Sequence, residues 1–142
     1  MDITAYLRQI NARLKKAEVV ISDKILSALD SAGEEIVSTA RQTKTYEDRT
    51  GNLSASMGYG VYSYGKAYSI GGFLDGKGEQ EGRQALADLA RQYAHRRYVL
   101  LVVAGMEYAA YVERRGYVVL DAAELQSDSI IGKALNNITI EV

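Results

Sequence analysis

"RYVLLVVAG", Arg97–Gly105, decides how the rest of this 142-residue chain is read. From Val99 to Val103 every residue is apolar, so neither face of the segment can be turned to water. That pattern marks a central strand, covered above and below. The flanking sequence has to supply its neighbours and its two covers.

A partner lies upstream in "MGYGVYSYGKAYSIGGFL", Met57–Leu74. Met57, Tyr59, Val61 and Ser63 share one face of a strand, and Gly58, Gly60, Tyr62 and Tyr64 share the other. Gly65-Lys66 makes a turn and "AYSIGGFL" a second strand, which together predict a hairpin. The glycines on one face imply a close neighbour there or a bend.

Covers come from helical periodicity. Ile3, Leu7, Ile10, Leu14 and Ala17 recur at spacings of four and three, and Ile21, Ile25, Leu29, Ala32, Ile36 and Ala40 continue the stripe. One long helix is expected, or two with a break near Val20–Ser22 where Ser22 could cap the second. So long an amphipathic stretch covers a sheet or serves as a coiled-coil arm. "DGKGEQEGR" reads as a loop, followed by a helix with Ala85, Leu86, Leu89, Ala90 and Tyr93 on one face. "MEYAAYVERRGYVVL" reads as a tight connector. Asp121 and Glu124 form a D-x-x-E start to a last helix whose face continues through Ile131 and Leu135. "ITIEV" closes the chain as a strand through Ile138, Ile140 and Val142. The expected fold is α+β in the order α-β-β-α-β-α-β, with helices packed on a small, mainly antiparallel sheet. It is read as a single domain over 1–142, with a helical region at 3–43, sheet and helices over 53–142, and a mobile loop at 75–82.

Composition removes whole classes of chemistry. There is no cysteine, hence no disulfide framework, no Cys-ligated metal and no thiol nucleophile. The amino terminus lacks a basic region followed by an unbroken apolar run, so no signal peptide is expected, and no window approaches the length of a membrane span. The net charge of −1 argues against tight DNA binding, which must neutralise several phosphates.

The candidates for catalysis are weak. His95 is the only histidine. Asp88 lies two helical turns before it, too far for an orienting bond, and Arg96-Arg97 make its surroundings cationic. In "GGFLDGKGEQEG", Lys77 precedes Gly78 rather than the Ser or Thr of a phosphate loop, and Glu79 and Glu81 would repel a phosphate. Lys77 also occupies the place where a calcium loop needs an oxygen ligand. No metal or cofactor is expected. Eleven tyrosines stand against one phenylalanine, a balance suited to half-buried surfaces and interfaces. Tyr59, Tyr62, Tyr64 and Tyr68 could stack bases, but only Lys66 among them supplies positive charge, and subunit contact is the better reading.

Two short segments carry more information. In "RTGNLSAS", Arg49–Ser56, Thr50-Gly51 can form a tight turn, Leu53 can anchor it into the core, and Arg49 is left for a carboxylate. In "YAAYVERRG", Tyr108–Gly116, Tyr108 and Tyr111 are three apart and Val112 is four from Tyr108, which suits one helical turn packed on the sheet. Glu113 at its end could accept a fork-like bond from Arg49, latching the connector to the hairpin.

These segments resemble the [R/D]-T-G-x-L-x-x-S turn and the Y-A-x-Y-V-E-x-G signature of a family of bacteriophage tail-component proteins, small neck or tail-completion proteins of long-tailed phages and prophages. Arg49, Thr50, Gly51 and Leu53 match the first, and Tyr108, Ala109, Tyr111, Val112, Glu113 and Gly116 the second. Arg114-Arg115 depart from the second, where the family usually has an aromatic and then glycine. The resemblance spans about Ile21–Leu120 and implies a non-enzymatic assembly protein of the virion. Several copies would form a ring in the neck or at the head-proximal tail end, joining the tail to the head or completing it. Its partners would be further copies of itself, the connector and the tail tube, with DNA passing through and no membrane contact. A rival reading is a small binding or regulatory module that dimerises through the amino-terminal helix.

Overall fold

The computed structural model describes residues 3–42, 52–105, 107–114, 117–121 and 130–135. In chain order its elements are α1 (Ile3–Gln42), α2 (Asn52–Ala55), β1 (Met57–Ser63), β2 (Lys66–Gly71), α3 (Glu79–Gln92), β3 (Val99–Ala104), β4 (Glu107–Arg114), β5 (Tyr117–Leu120) and α4 (Ile130–Leu135). The fold is α+β, and its one sheet runs β2-β1-β3-β4-β5 with every neighbouring pair antiparallel.

β3 holds the middle of that sheet and all six of its residues are buried, as its two apolar faces require. Leu100, Val102 and Ala104 point to a core shared with α1 and α4. Val99, Leu101 and Val103 point to a second core closed by α3. The hairpin forms as expected, β1 against β2, with a register shift between Val61 and Tyr62. Gly58 does have a close neighbour: the Phe73 ring lies where its Cβ would be.

The connector expected between β3 and the last helix is instead two strands, β4 and β5. Tyr108, Ala109, Tyr111 and Val112 therefore alternate across the sheet rather than forming a helical turn. Ala109 and Tyr111 face α1 and α4, while Ala110 and Val112 face α3. The physical reason lies in β3. A fully buried strand must satisfy its backbone groups along both edges, and β1 fills only one. After Gly105, at φ 61°, the chain turns back and pairs Glu107 with Ala104 through to Val112 with Val99. The helix start at Glu124 and the closing strand at 138–142 lie outside the described residues.

Of the two alternatives for the amino-terminal stretch, the single helix holds: α1 is continuous through Val20–Ser22. One boundary differs from expectation. Glu79–Gly82, the second half of the loop placed at 75–82, forms the first turn of α3. Gly82 is buried there because α3 starts against the end of α2: a Cβ on Gly82 would lie 2.4 Å from the carbonyl oxygen of Ser56.

The length of α1 sets the shape of the molecule. Forty residues span about 60 Å of helix, whereas the six residues of β3 span about 20 Å. Only the half from Ser22 onward meets the rest of the fold, burying Leu29 and Ile36 completely, each such burial stabilising by about 1.5–3 kcal/mol. Ser22 meets Tyr98 through a hydroxyl–hydroxyl hydrogen bond at one end of the sheet. Arg41 reaches Met57 at the other end. The helix thus follows the strand direction, and Ile3–Ile21 projects past the end of the sheet as an arm.

Candidate interaction surfaces

The described part of the first motif packs beside Gly105, in the turn that precedes the second. Leu53 lies on α2, partly buried against the α1-side core. Ser56 closes the turn, its hydroxyl and its N–H both donating to the Leu53 carbonyl at 2.7 and 3.1 Å. Both residues border Gly105, where a Cβ would sit 3.8 Å from Leu53 Cδ1 and 3.7 Å from Ser56 Oγ. The first motif therefore supports the turn that launches β4. Glu113 is six residues along that strand from Glu107, about 20 Å away, with its N–H donating to the Tyr98 carbonyl. Arg49, Thr50, Gly51 and Gly116 lie outside the described residues, and so does the pairing of Arg49 with Glu113.

The described corner is tied together by Arg41, a residue to which the sequence drew no attention. Its Nη2 donates to the carbonyl oxygens of Ser54 at 2.8 Å, Met57 at 3.1 Å and Gly72. One guanidinium thereby joins the end of α1 to α2, β1 and the exit from β2. Charge-assisted bonds of this kind are the stronger class.

The tyrosines divide. Tyr59 and Tyr62 are core residues on opposite faces of β1, so the four hairpin tyrosines form no stacking platform. The Tyr59 hydroxyl donates to Asp30 at 2.8 Å, and burial, with the Asp30 carboxylate second, raises its pKa well above the ordinary phenol value. Burial alone raises Tyr62 and Tyr111. Burial also raises Tyr93, with help from Asp121. All four phenols are held neutral by the fold.

Of the polar candidates, Asp88 and Glu79 are held in structural contacts. His95 is exposed just beyond α3, and Asp88 is bonded by Gln84 and Arg91, each at 3.0 Å. At the start of α3, Arg83 pairs with Glu79 at 3.0 Å and lies over the Phe73 ring. Asp121 is shared by Arg96 at 3.3 Å and Arg114 at 3.8 Å. Among the described residues there is no cluster of three metal-ligating side chains, and no helix is long and apolar enough to cross a membrane.

What the surface does offer is apolar area in three places. Along the arm, Ile3, Leu7, Leu14 and Ile21 are each more than half exposed. At one edge of the sheet β2 carries Tyr68 and Ile70, with Tyr64 in the turn before it and Leu74 beyond, all at least 46% exposed. At the other edge β5 exposes Val119 and Leu120. Among the described residues no strand pairs with the outer side of β2 or β5. Unpaired edges flanked by apolar side chains are surfaces that natural proteins seldom leave to water.

Residues 8–114 match the family model described as "HK97-gp10_like: Bacteriophage HK97-gp10, putative tail-component". Neither a curated protein nor a solved structure matches the chain. The matched span begins within the arm and ends with β4, so it takes in the first motif and all but the last two residues of the second.

Proposed function

Because the chain belongs to the HK97-gp10-like family of bacteriophage tail components, we propose that it acts by association, without catalysis, in the neck or at the head-proximal end of the tail. Several copies close into a ring that completes the tail or joins it to the head. The ring forms in the host cytoplasm and stays in the virion.

The observation that carries this reading is the difference between the two sheet edges. β2 and β5 lie at opposite ends of the strand order, and among the described residues each joins an outer edge with no strand beside it to exposed apolar side chains. Two unlike patches on opposite sides of one subunit form a heterologous interface, and such an interface closes into a ring when its rotation permits. The edge of one copy then meets the other edge of the next. A net charge of −1 lets DNA pass without being gripped, since tight binding requires many cation–phosphate contacts. The remaining faces are left for the connector and the tail tube.

Particle assembly with the gene deleted tests the proposal. Filled heads with separate tails, or tails of abnormal length, are the expected outcome. Normal infectious particles from such a deletion, with no second copy of the gene elsewhere, would overturn it.

A further inference from the structure

We propose that the arm of α1 assembles with the arms of other copies into a parallel, in-register bundle of more than two helices. The inference goes beyond the assignment to the tail and holds wherever in a particle the protein sits.

Among the described residues, no core cluster includes a side chain of the arm. Its apolar residues Ile3, Leu7, Ile10, Leu14, Ala17 and Ile21 follow spacings of four, three, four, three and four. That is a heptad seam, with Ile3, Ile10 and Ala17 at d and Leu7, Leu14 and Ile21 at a. Toward the carboxyl end the stripe runs into Ile25 and Leu29, which pack on this subunit's own sheet. In the arm the same stripe is exposed apart from half-buried Ile10.

The residues beside the seam identify the occupant as a second copy and set its direction. The g positions hold Tyr6, Arg13 and Val20, and the e positions hold Thr4, Asn11 and Glu18. In a parallel coiled coil a g residue faces the e residue five places later on its neighbour, so Arg13 of each arm meets Glu18 of the next. In an antiparallel pair g faces g and e faces e, and Arg13 could not meet Glu18 in any register. The two residues are exposed and of opposite charge, so only parallel, in-register arms use both. Strand number follows from the seam. Leu at a combined with Ile at d favours three or four strands over two, and the arm has this pairing in its first two heptads. Arms that leave every subunit past the same end of its sheet also point the same way around a common rotation axis.

The test uses the full chain, which contains no cysteine, so an introduced thiol reports on one position alone. Leu7→Cys and Leu14→Cys, made separately, should each cross-link between chains under mild oxidation. Light scattering of the unmodified chain should give a species of more than two copies. Leu14→Asp should lower the number of copies and abolish cross-linking at Leu7→Cys, while the circular dichroism and melting of the fold stay unchanged, because Leu14 is exposed and outside both cores. Arg13→Glu should weaken association at least tenfold, and adding Glu18→Arg should restore it. Cross-linking at position 14 without position 7 would mean an antiparallel arrangement and overturn the proposal, as would a species of one or two chains. Failure of the charge swap to restore association would overturn the assigned register. None of these readouts depends on the particle phenotype, so the two proposals can fail separately.

Discussion

Gly33 of α1 lies directly against the ring of Tyr59 on β1: a Cβ at Gly33 would sit 2.4 Å from Tyr59 Cδ2. The ring cannot swing aside cheaply, because its hydroxyl is bonded to Asp30 on the same helix. Gly33→Ala should improve helix propensity by about 1 kcal/mol and still lose, since forcing a methyl into a packed core typically costs about 1–3 kcal/mol. A lowered urea midpoint is the expected result. A raised midpoint would show that helix and strand can separate without penalty.

Arg41→Met should destabilise by at least about 2 kcal/mol, because it keeps the length of the side chain while removing charge-assisted bonds to the carbonyls of Ser54, Met57 and Gly72. Chemical denaturation should show a lower midpoint with the slope unchanged. Wild-type stability in that variant would mean that the corner is held by other contacts.

Val102→Asp should abolish soluble folding, since the side chain is 2% exposed at the centre of the sheet and the substitution buries an unpaired charge. Val119→Asp, on the exposed side of β5, should fold normally and serves as the control. Soluble Val102→Asp with an ordinary melt would contradict the placement of β3.

Alkali should unfold the protein in a step that coincides with tyrosine ionisation. Tyr59, Tyr62, Tyr93 and Tyr111 all keep their protons to higher pH in the fold than an ordinary phenol does. The folded state therefore binds more protons than the unfolded one above pH about 10, and stability falls there as pH rises. Below that range these groups leave stability flat. The measurement follows phenolate absorbance and circular dichroism together. Ionisation of these four well before the loss of structure would show that the phenols are not buried.

Much of this architecture was legible because long periodic stretches leave few options. Five apolar residues in a row at Val99–Val103 required a central strand, and the alternation from Met57 to Tyr64 required a hairpin. The connector was misread because Tyr108, Tyr111 and Val112 satisfy a helical spacing as well as a strand of mixed residues. What decides between them is the unfilled edge of β3, a tertiary demand absent from the local pattern. Arg41 escaped notice for a similar reason. A basic residue in the last turn of a helix is ordinary on dipole grounds, and only the folded chain shows three carbonyls converging on it. Of the motif Arg49–Ser56, Leu53 and Ser56 sit at a structural corner, while Arg49, Thr50 and Gly51 lie outside the described residues.

The strand order carries a kinetic consequence. β1 with β2, and β3 with β4 and β5, are two locally connected units whose members follow one another in sequence. They join along a single seam between β1 and β3, whose partners Met57 and Ala104 are far apart in the chain. Closing that seam requires α3 and its flanking loops to be spanned first, an entropic cost that local hairpins avoid. Folding speed should therefore be governed by this one junction. With no proline in the chain, no isomerisation step should overlie it.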